Sequence, residues 1–115
     1  MRIGVVGPCA AGKTTLIEGL ITRGYDAKQI AQEHSYVQDM WLRITNPDVL
    51  IFLDVSYSNS IRRKNLNWTE REYKRQQTRL THAQNNADLY INTDRLTPQQ
   101  VLSNVLEILN KLTID

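Results

Sequence analysis

Residues 1–15 read Met-Arg-Ile-Gly-Val-Val-Gly-Pro-Cys-Ala-Ala-Gly-Lys-Thr-Thr. The apolar run Ile3 to Val6 ends in a glycine-rich turn, which indicates a buried strand. After Lys13, apolar residues recur at helical spacing, and Gly24 is placed to end that helix. The chain therefore starts with a strand, a glycine-rich loop and a helix.

The loop of this unit is Gly7-Pro8-Cys9-Ala10-Ala11-Gly12-Lys13-Thr14-Thr15, and it matches the pattern G-x-x-x-x-G-K-[ST] in full. Small residues and glycines let a backbone wrap a phosphate so that several N–H groups point inward. The helix beginning at Lys13 adds its positive N-terminal end. We expect Lys13 to reach the β- and γ-phosphates of a nucleotide and the Thr14 hydroxyl to hold Mg²⁺. Cys9 is interpreted as a small residue tolerated in the loop, with a redox switch as the alternative.

The rest of the chain alternates between strand patterns and helix patterns. Strands are predicted at residues 27–31, 49–53 and 87–91, and helices at 36–44, 58–64, 69–84 and 97–112. Two of these helices begin with capping boxes, at Thr69-Glu70-Arg71-Glu72 and Thr97-Pro98-Gln99-Gln100. This order predicts one α/β domain over residues 1–115, with a parallel sheet of about four strands between helices.

Composition excludes several classes of protein. The chain has 115 residues, of which 41% are hydrophobic and 23% charged, a balance typical of a folded globular domain rather than a disordered one. No apolar run approaches the ~20 residues of a membrane span, so no membrane partner is expected. A single cysteine allows no internal disulfide, and this absence favours a cytoplasmic location.

Positive charge is concentrated in residues 62–82, although the net charge of the chain is only +2. This segment holds seven of the fourteen basic residues: Arg62, Arg63, Lys64, Arg71, Lys74, Arg75 and Arg79. Arg71, Arg75 and Arg79 share one face of the predicted helix. That face could contact phosphate, or it could be a solvated basic surface. Binding of nucleic acid is the weaker interpretation, because few aromatic residues are interleaved with these charges.

Three later segments occur in the order found in small phosphate-loop kinases. The segment Pro47 to Ser56 resembles the fourth-strand segment of nucleoside and nucleotide kinases of the thymidylate, adenylate and deoxynucleoside kinase type. Ile61-Arg62-Arg63 is similar to the start of their arginine-bearing lid, and Ala87 to Asp94 with Leu96-Thr97-Pro98 is similar to their last strand and helix. No Asn-Lys-x-Asp guanine motif of GTPases is present in the sequence.

The resemblance implies a three-layer kinase fold that takes ATP with Mg²⁺, with GTP not excluded. It implies that residues 62–82 form a lid, that Arg62 binds the nucleotide, and that Arg71, Arg75 and Arg79 assist transfer. It also implies that Asn92 and Thr93 contact the base. The acceptor would be a nucleoside, a nucleotide or another small metabolite.

Glu33 is the candidate acidic residue. Glu33-His34-Ser35 follows a predicted strand and is similar to the Glu-Arg-Ser motif of deoxynucleoside kinases, with His in place of Arg. A carboxylate at a strand end beside the phosphate loop can hold Mg²⁺ or accept a hydroxyl proton. A surface glutamate is the alternative. Asp54 also follows an apolar run, but we rank it below Glu33.

The substrate region departs from the family pattern. Family members place two strands and a substrate-binding insertion where this chain has only the 23 residues Gly24 to Asn46. A homodimer could complete such a site. The sequence therefore supports two hypotheses, a small ATP-dependent kinase and a nucleotide-binding regulatory module without phosphotransfer.

Overall fold

The computed structural model describes residues 1–64 and 68–113. Residues 65–67, part of the predicted lid, and 114–115 lie outside the described residues. In chain order the elements are β1 (Arg2–Val6), α1 (Lys13–Thr22), β2 (Asp26–Gln29), a short 3₁₀ helix (Gln32–His34), α2 (Met40–Ile44), β3 (Val49–Asp54), α3 (Tyr57–Lys64), α4 (Glu70–Asn86), β4 (Leu89–Asn92) and α5 (Pro98–Thr113).

The four strands pair in parallel in the order β2-β1-β3-β4. Ile3 of β1 lies opposite Ala27 of β2 on one side and Val49 of β3 on the other. The crossovers β1–α1–β2 and β3–α4–β4 run in opposite directions along the sheet. Crossovers of the usual right hand then place α1 and α4 on opposite faces. The predicted α/β architecture with a four-stranded parallel sheet is confirmed.

Alternating side chains of the central strands fill two cores. On one face, Ile3 and Val5 of β1 and three residues of β3 pack against α1 and α5. On the other face, Val6, Leu50 and Phe52 pack against α4, Trp41 and Ile30. Strands buried on both sides explain why β1 and β3 are continuous apolar runs in the sequence.

Several predicted boundaries were wrong, and the last strand, predicted at 87–91, spans Leu89–Asn92. The helix predicted from Tyr36 begins at Met40, because the buried Gln32 side chain holds the preceding loop. Gln32 Nε2 donates to the Val37 carbonyl (2.8 Å), and Gln32 Oε1 accepts from the Trp41 N–H (2.9 Å). Strand β2 spans Asp26–Gln29 rather than 27–31, although the Ile30 N–H still donates to the Val5 carbonyl.

The helices within residues 1–64 and 68–113 include none with the length and apolar content that crossing a membrane requires.

Candidate functional site

The predicted phosphate loop lies at the carboxyl edge of the sheet. The central strands β1 and β3 are neighbours in the sheet. From β1 the chain continues to β2 on one side, and from β3 it continues to β4 on the other side, so the strand order reverses between β1 and β3. Ligands of open parallel sheets bind outside the strand ends at such a point. Residues 7–12 connect β1 to α1 there.

Two glycines set the path of the loop. Gly7 (φ 155°) passes so close to β3 that a Cβ atom would lie 2.1 Å from the Leu53 carbonyl oxygen. Gly12 (φ 99°) is the N-cap of α1 in the left-handed region, where it supplies no side-chain cap. The first helical hydrogen bond runs from the Leu16 N–H to the Gly12 carbonyl (3.2 Å). The N–H groups of residues 13–15 precede that bond and so have no partner within the helix, an arrangement that favours an anion.

Lys13, the first residue of α1, is buried, with 5% of its surface exposed. Its Nζ donates to the Gly7 carbonyl and to Glu33 Oε2. Glu33 belongs to the 3₁₀ helix after β2, and its side chain is 4% exposed. Glu33 Oε1 is a buried atom without a hydrogen-bond partner among the described residues. Lys13 and Glu33, each predicted from the sequence as a site residue, are therefore in direct contact, and one Glu33 oxygen has no partner among the described residues.

Thr14 lies beside a residue that the sequence reasoning missed. Its hydroxyl donates to Gln29 Oε1 at the end of β2 (3.1 Å). Thr14, Gln29 and Glu33 line the same cavity, so a hydroxyl, an amide oxygen and a carboxylate face one space. These are hard oxygen ligands of the kind that Mg²⁺ takes, and this donor set fits that ion. A neutral glutamine belongs to no motif, which is why Gln29 gave no signal.

Gln76 of α4 makes two hydrogen bonds to Cys9. Gln76 Oε1 accepts from the Cys9 N–H (3.0 Å), and Gln76 Nε2 donates to Cys9 Sγ (3.2 Å). Gln76 is buried, and it too was missed because a lone amide on a polar helix resembles a surface residue. This contact fixes the loop to α4.

These residues surround a cavity of about 660 Å³ at the carboxyl edge of the sheet. The polar lining is contributed by the loop, Gln29, Glu33, His34, Arg63 and Thr93. One side is apolar, where Leu96, Pro98 and Val101 lead into α5. The volume lies within the range of roughly 300–1,000 Å³ that small-molecule sites occupy.

In the first part of the basic segment, Arg63 lines the cavity and Arg62 does not. Arg63 Nη1 donates to Thr93 Oγ1 (2.8 Å) and to the Ala10 carbonyl (3.3 Å). Thr93 is buried, with its Oγ1 3.1 Å from the Ala11 carbonyl oxygen. Asn92 is exposed, and its Oδ1 accepts from the Asp94 N–H.

The three arginines of α4 separate in space. Arg79 Nη1 donates to the Glu33 carbonyl (3.3 Å), and its guanidinium lies 4.6 Å from the centre of the Tyr36 ring. Arg71 and Arg75 are exposed and line a separate shallow depression with Glu70, Lys74 and Thr78. Of these three arginines, Arg79 in the middle of α4 contacts Glu33, whereas Arg71 and Arg75 lie nearer the start of the helix.

Asp54 is engaged in structural contacts. Its Oδ1 accepts from the Val55 N–H (2.9 Å) and from Gln77 Nε2 (3.3 Å), and its Oδ2 accepts from the Tyr90 hydroxyl. Burial, and next the hydrogen bond to Asp54, raises the pKa of Tyr90 to about 12. These contacts agree with ranking Asp54 below Glu33 as a metal ligand.

The structure thus brings together the phosphate loop, Glu33 and Thr93, and it adds Gln29, Arg63 and Gln76. Outside the phosphate loop, five predicted site residues are not among those that line the cavity: Arg62, Arg71, Arg75, Arg79 and Asn92. In comparisons with known proteins, no family model matches this chain, and no curated protein does either.

Proposed function

We propose that this chain is a small phosphotransferase with a kinase-like phosphate-loop fold, which binds Mg²⁺ and ATP, or GTP in its place. It would transfer a phosphoryl group to a nucleoside, a nucleotide or another small acceptor. The observation that carries the proposal is the buried Lys13–Glu33 pair inside a complete phosphate-loop motif. A buried ion pair carries a desolvation cost and is weak evidence for stability, so its position beside the loop favours a functional role.

The loop supplies positive potential for the phosphates. Lys13, Thr14 and Thr15, which form the first turn of α1, all line the cavity, so the N-terminal end of the helix and the Lys13 ammonium group lie beside it. Phosphoryl transfer depends mainly on positioning and electrostatic stabilisation of the γ-phosphoryl oxygens. Bound Mg²⁺ would add charge stabilisation at those oxygens, with Thr14, Gln29 and Glu33 as its candidate ligands.

Glu33 is the candidate base for the acceptor. In the free protein one carboxylate oxygen is engaged by Lys13. When Lys13 turns to the phosphate oxygens, Glu33 is released, and its carboxylate can take the proton from an acceptor hydroxyl. As the acceptor oxygen bonds to the γ-phosphorus, the bond from that phosphorus to the bridging oxygen breaks, and the nucleoside diphosphate leaves with the electron pair. His34 lines the cavity next to Glu33 and is exposed, a position suited to acceptor contact.

Replacement of Lys13 tests nucleotide binding. Lys13→Ala removes the cation from the loop, and we expect ATP affinity measured by calorimetry with Mg²⁺ to fall by about tenfold or more. Lys28→Ala is the matched control, because Lys28 is exposed on β2. Equal affinities for the wild type and Lys13→Ala, with both folded, would contradict the proposal.

A second function, a nucleotide-binding module without transfer, is favoured by the short acceptor region. Between β2 and β3 the structure has only the 3₁₀ helix and the five-residue α2 among described elements. Arg71 and Arg75, two of the predicted transfer residues, also lie outside the cavity.

Glu33→Gln separates the two functions. A kinase should lose about 10²–10⁴-fold in turnover with this change, because the base is gone, while it still binds ATP. Turnover is measured as ATP consumption with a panel of nucleosides, nucleotides and sugars, and Glu18→Gln on the exposed face of α1 is the control. Tight ATP binding with no turnover of any acceptor by the wild type would favour the module.

A further inference from the structure

Three different donor atoms meet at the edge of the phosphate loop. One ligand atom each from Cys9, Glu33 and His34 lies within 4.8 Å of the other two. Cys9 comes from the loop after β1, whereas Glu33 and His34 come from the 3₁₀ helix after β2. We propose that these side chains form a binding site for a borderline-soft divalent metal ion of the zinc class, which shares Glu33 with the candidate magnesium ligands.

The chemistry of the donor set selects this class of ion. A thiolate, an imidazole and a carboxylate are the ligands that zinc takes in proteins, whereas Mg²⁺ and Ca²⁺ take oxygen donors. Zinc bonds of about 2.0–2.3 Å place tetrahedral ligands about 3.5 Å apart, so the three atoms must approach by at most roughly 1.3 Å. The His34 side chain is 60% exposed and has room to rotate by that amount.

The unpartnered Glu33 oxygen is the second, independent observation. The Glu33 side chain is 4% exposed, and Oε1 has no hydrogen-bond partner among described residues, while Oε2 is engaged by Lys13. A buried acceptor without a partner is unfavourable, and a cation supplies the missing interaction. Oε2, the oxygen that Lys13 engages, lies 4.0 Å from His34 Nε2, so a metal beside His34 would either share Oε2 with Lys13 or take Oε1 after a rotation of the carboxylate.

Gln76 supports the proposed sulfur ligand. Its Nε2 donates to Cys9 Sγ (3.2 Å) and its Oε1 accepts from the Cys9 N–H (3.0 Å), so the thiol is held in place. Residues that orient a metal ligand in this way tune affinity. On binding, the Cys9 thiol loses its proton to solvent as the metal–sulfur bond forms. All three ligands line the cavity, which leaves the fourth position facing that space for water.

Cobalt(II) tests the site, because it takes zinc positions and its thiolate bonds are visible by absorbance. Titration of the reduced full chain with Co²⁺, without nucleotide, should give a sulfur-to-cobalt band that saturates at one ion per chain and is lost when Zn²⁺ is added. Cys9 is the single cysteine of the sequence, so any such band belongs to it. Absence of the band in folded protein would overturn the proposal.

Variants assign the other ligands. Cys9→Ser should abolish the band, His34→Ala should weaken Co²⁺ binding, and Gln76→Leu should weaken it by about ten- to a hundredfold. His82→Gln is the matched control for histidine, because His82 bonds to Trp41 and not to the cluster. An unchanged affinity of His34→Ala, or a loss only in His82→Gln, would overturn the assignment. If Cys9→Ser does not fold, alkylation of Cys9 in the folded wild type replaces it. Because the titration contains no nucleotide, its result is independent of whether the chain binds ATP.

Discussion

Gly7 has two roles that no other residue type could combine. Its carbonyl accepts a hydrogen bond from Lys13 Nζ, which holds the ammonium group inside the loop. Its α-carbon lies against the backbone of Leu53, which joins the start of the loop to β3. The position of Lys13 therefore depends on the close approach of two backbone segments.

Gly7→Ala should be more destabilising than an ordinary glycine substitution. The new Cβ would lie 2.1 Å from the Leu53 carbonyl oxygen, and backbone must shift to relieve the clash. We expect a loss of about 2–3 kcal/mol in the free energy of unfolding, measured by urea denaturation. Gly24→Ala is the control, because Gly24 also has positive φ (87°) but nothing within 4 Å of its Cβ, and about 1 kcal/mol is expected. Equal losses in the two variants would show that the close approach is unimportant.

Helix α4 contributes no described residue to the cavity lining, but it contacts residues that do line the cavity. Gln76 holds Cys9, and Arg79 donates to the Glu33 carbonyl. The Arg79 carbonyl in turn accepts from Gln32 Nε2 (3.3 Å) in the same 3₁₀ helix. Leu80 and Ala83 bury the inner face of α4 against the sheet. Helix α4 thus contacts both the phosphate loop, through Cys9, and the 3₁₀ helix, through Glu33.

Thr69→Ala tests how the start of α4 is stabilised. Thr69 Oγ1 accepts from the Glu72 N–H (3.2 Å) as the N-cap. Loss of such a cap costs about 1 kcal/mol in the free energy of unfolding, measured by thermal or urea denaturation. Thr78→Ala on the exposed side of the same helix should change stability by less than about 0.5 kcal/mol. A Thr69→Ala effect as small as that of Thr78→Ala would contradict this role of the cap.

Across the molecule, local patterns predicted the elements well. The apolar run before Asp54 forms β3, and the Thr97 capping box is present in full, with the Gln100 N–H donating to Thr97 Oγ1 and the Thr97 N–H donating to Gln100 Oε1. The strand and the capping box depend on residues close together in the sequence, so the spacing of residue types was sufficient to predict them.

The candidate site was less predictable because its contacts are long-range. Arg62 and Arg63 are adjacent and differ by about 100° around a helix, so only the packing of α3 decides that Arg63 reaches Thr93. Gln29 and Gln76 carry no charge and fit no motif, and their roles depend on Thr14 and Cys9 brought close by the fold.

A ligand in the phosphate loop should protect α4 as well as the loop. Gln76 bonds to Cys9 in the loop, and Arg79 bonds to Glu33 in the 3₁₀ helix. A ligand that orders the loop and the 3₁₀ helix therefore also restrains α4. We expect slower amide hydrogen exchange in residues 74–83 when Mg²⁺ and ATP are added, with less change in the C-terminal half of α5. Exchange in α4 that does not respond to saturating ATP would contradict this coupling.

The contact between Cys9 and Gln76 also lets the position of α4 affect the binding of a ligand in the loop. If occupancy of the loop stabilises one position of α4, then holding α4 in that position must tighten occupancy of the loop by the same factor, because linkage between binding equilibria is reciprocal. A second molecule that fixes α4 could bind at its exposed outer face, which carries Arg71, Lys74 and Arg75. A molecule that never enters the cavity could in this way set how much ligand the cavity retains.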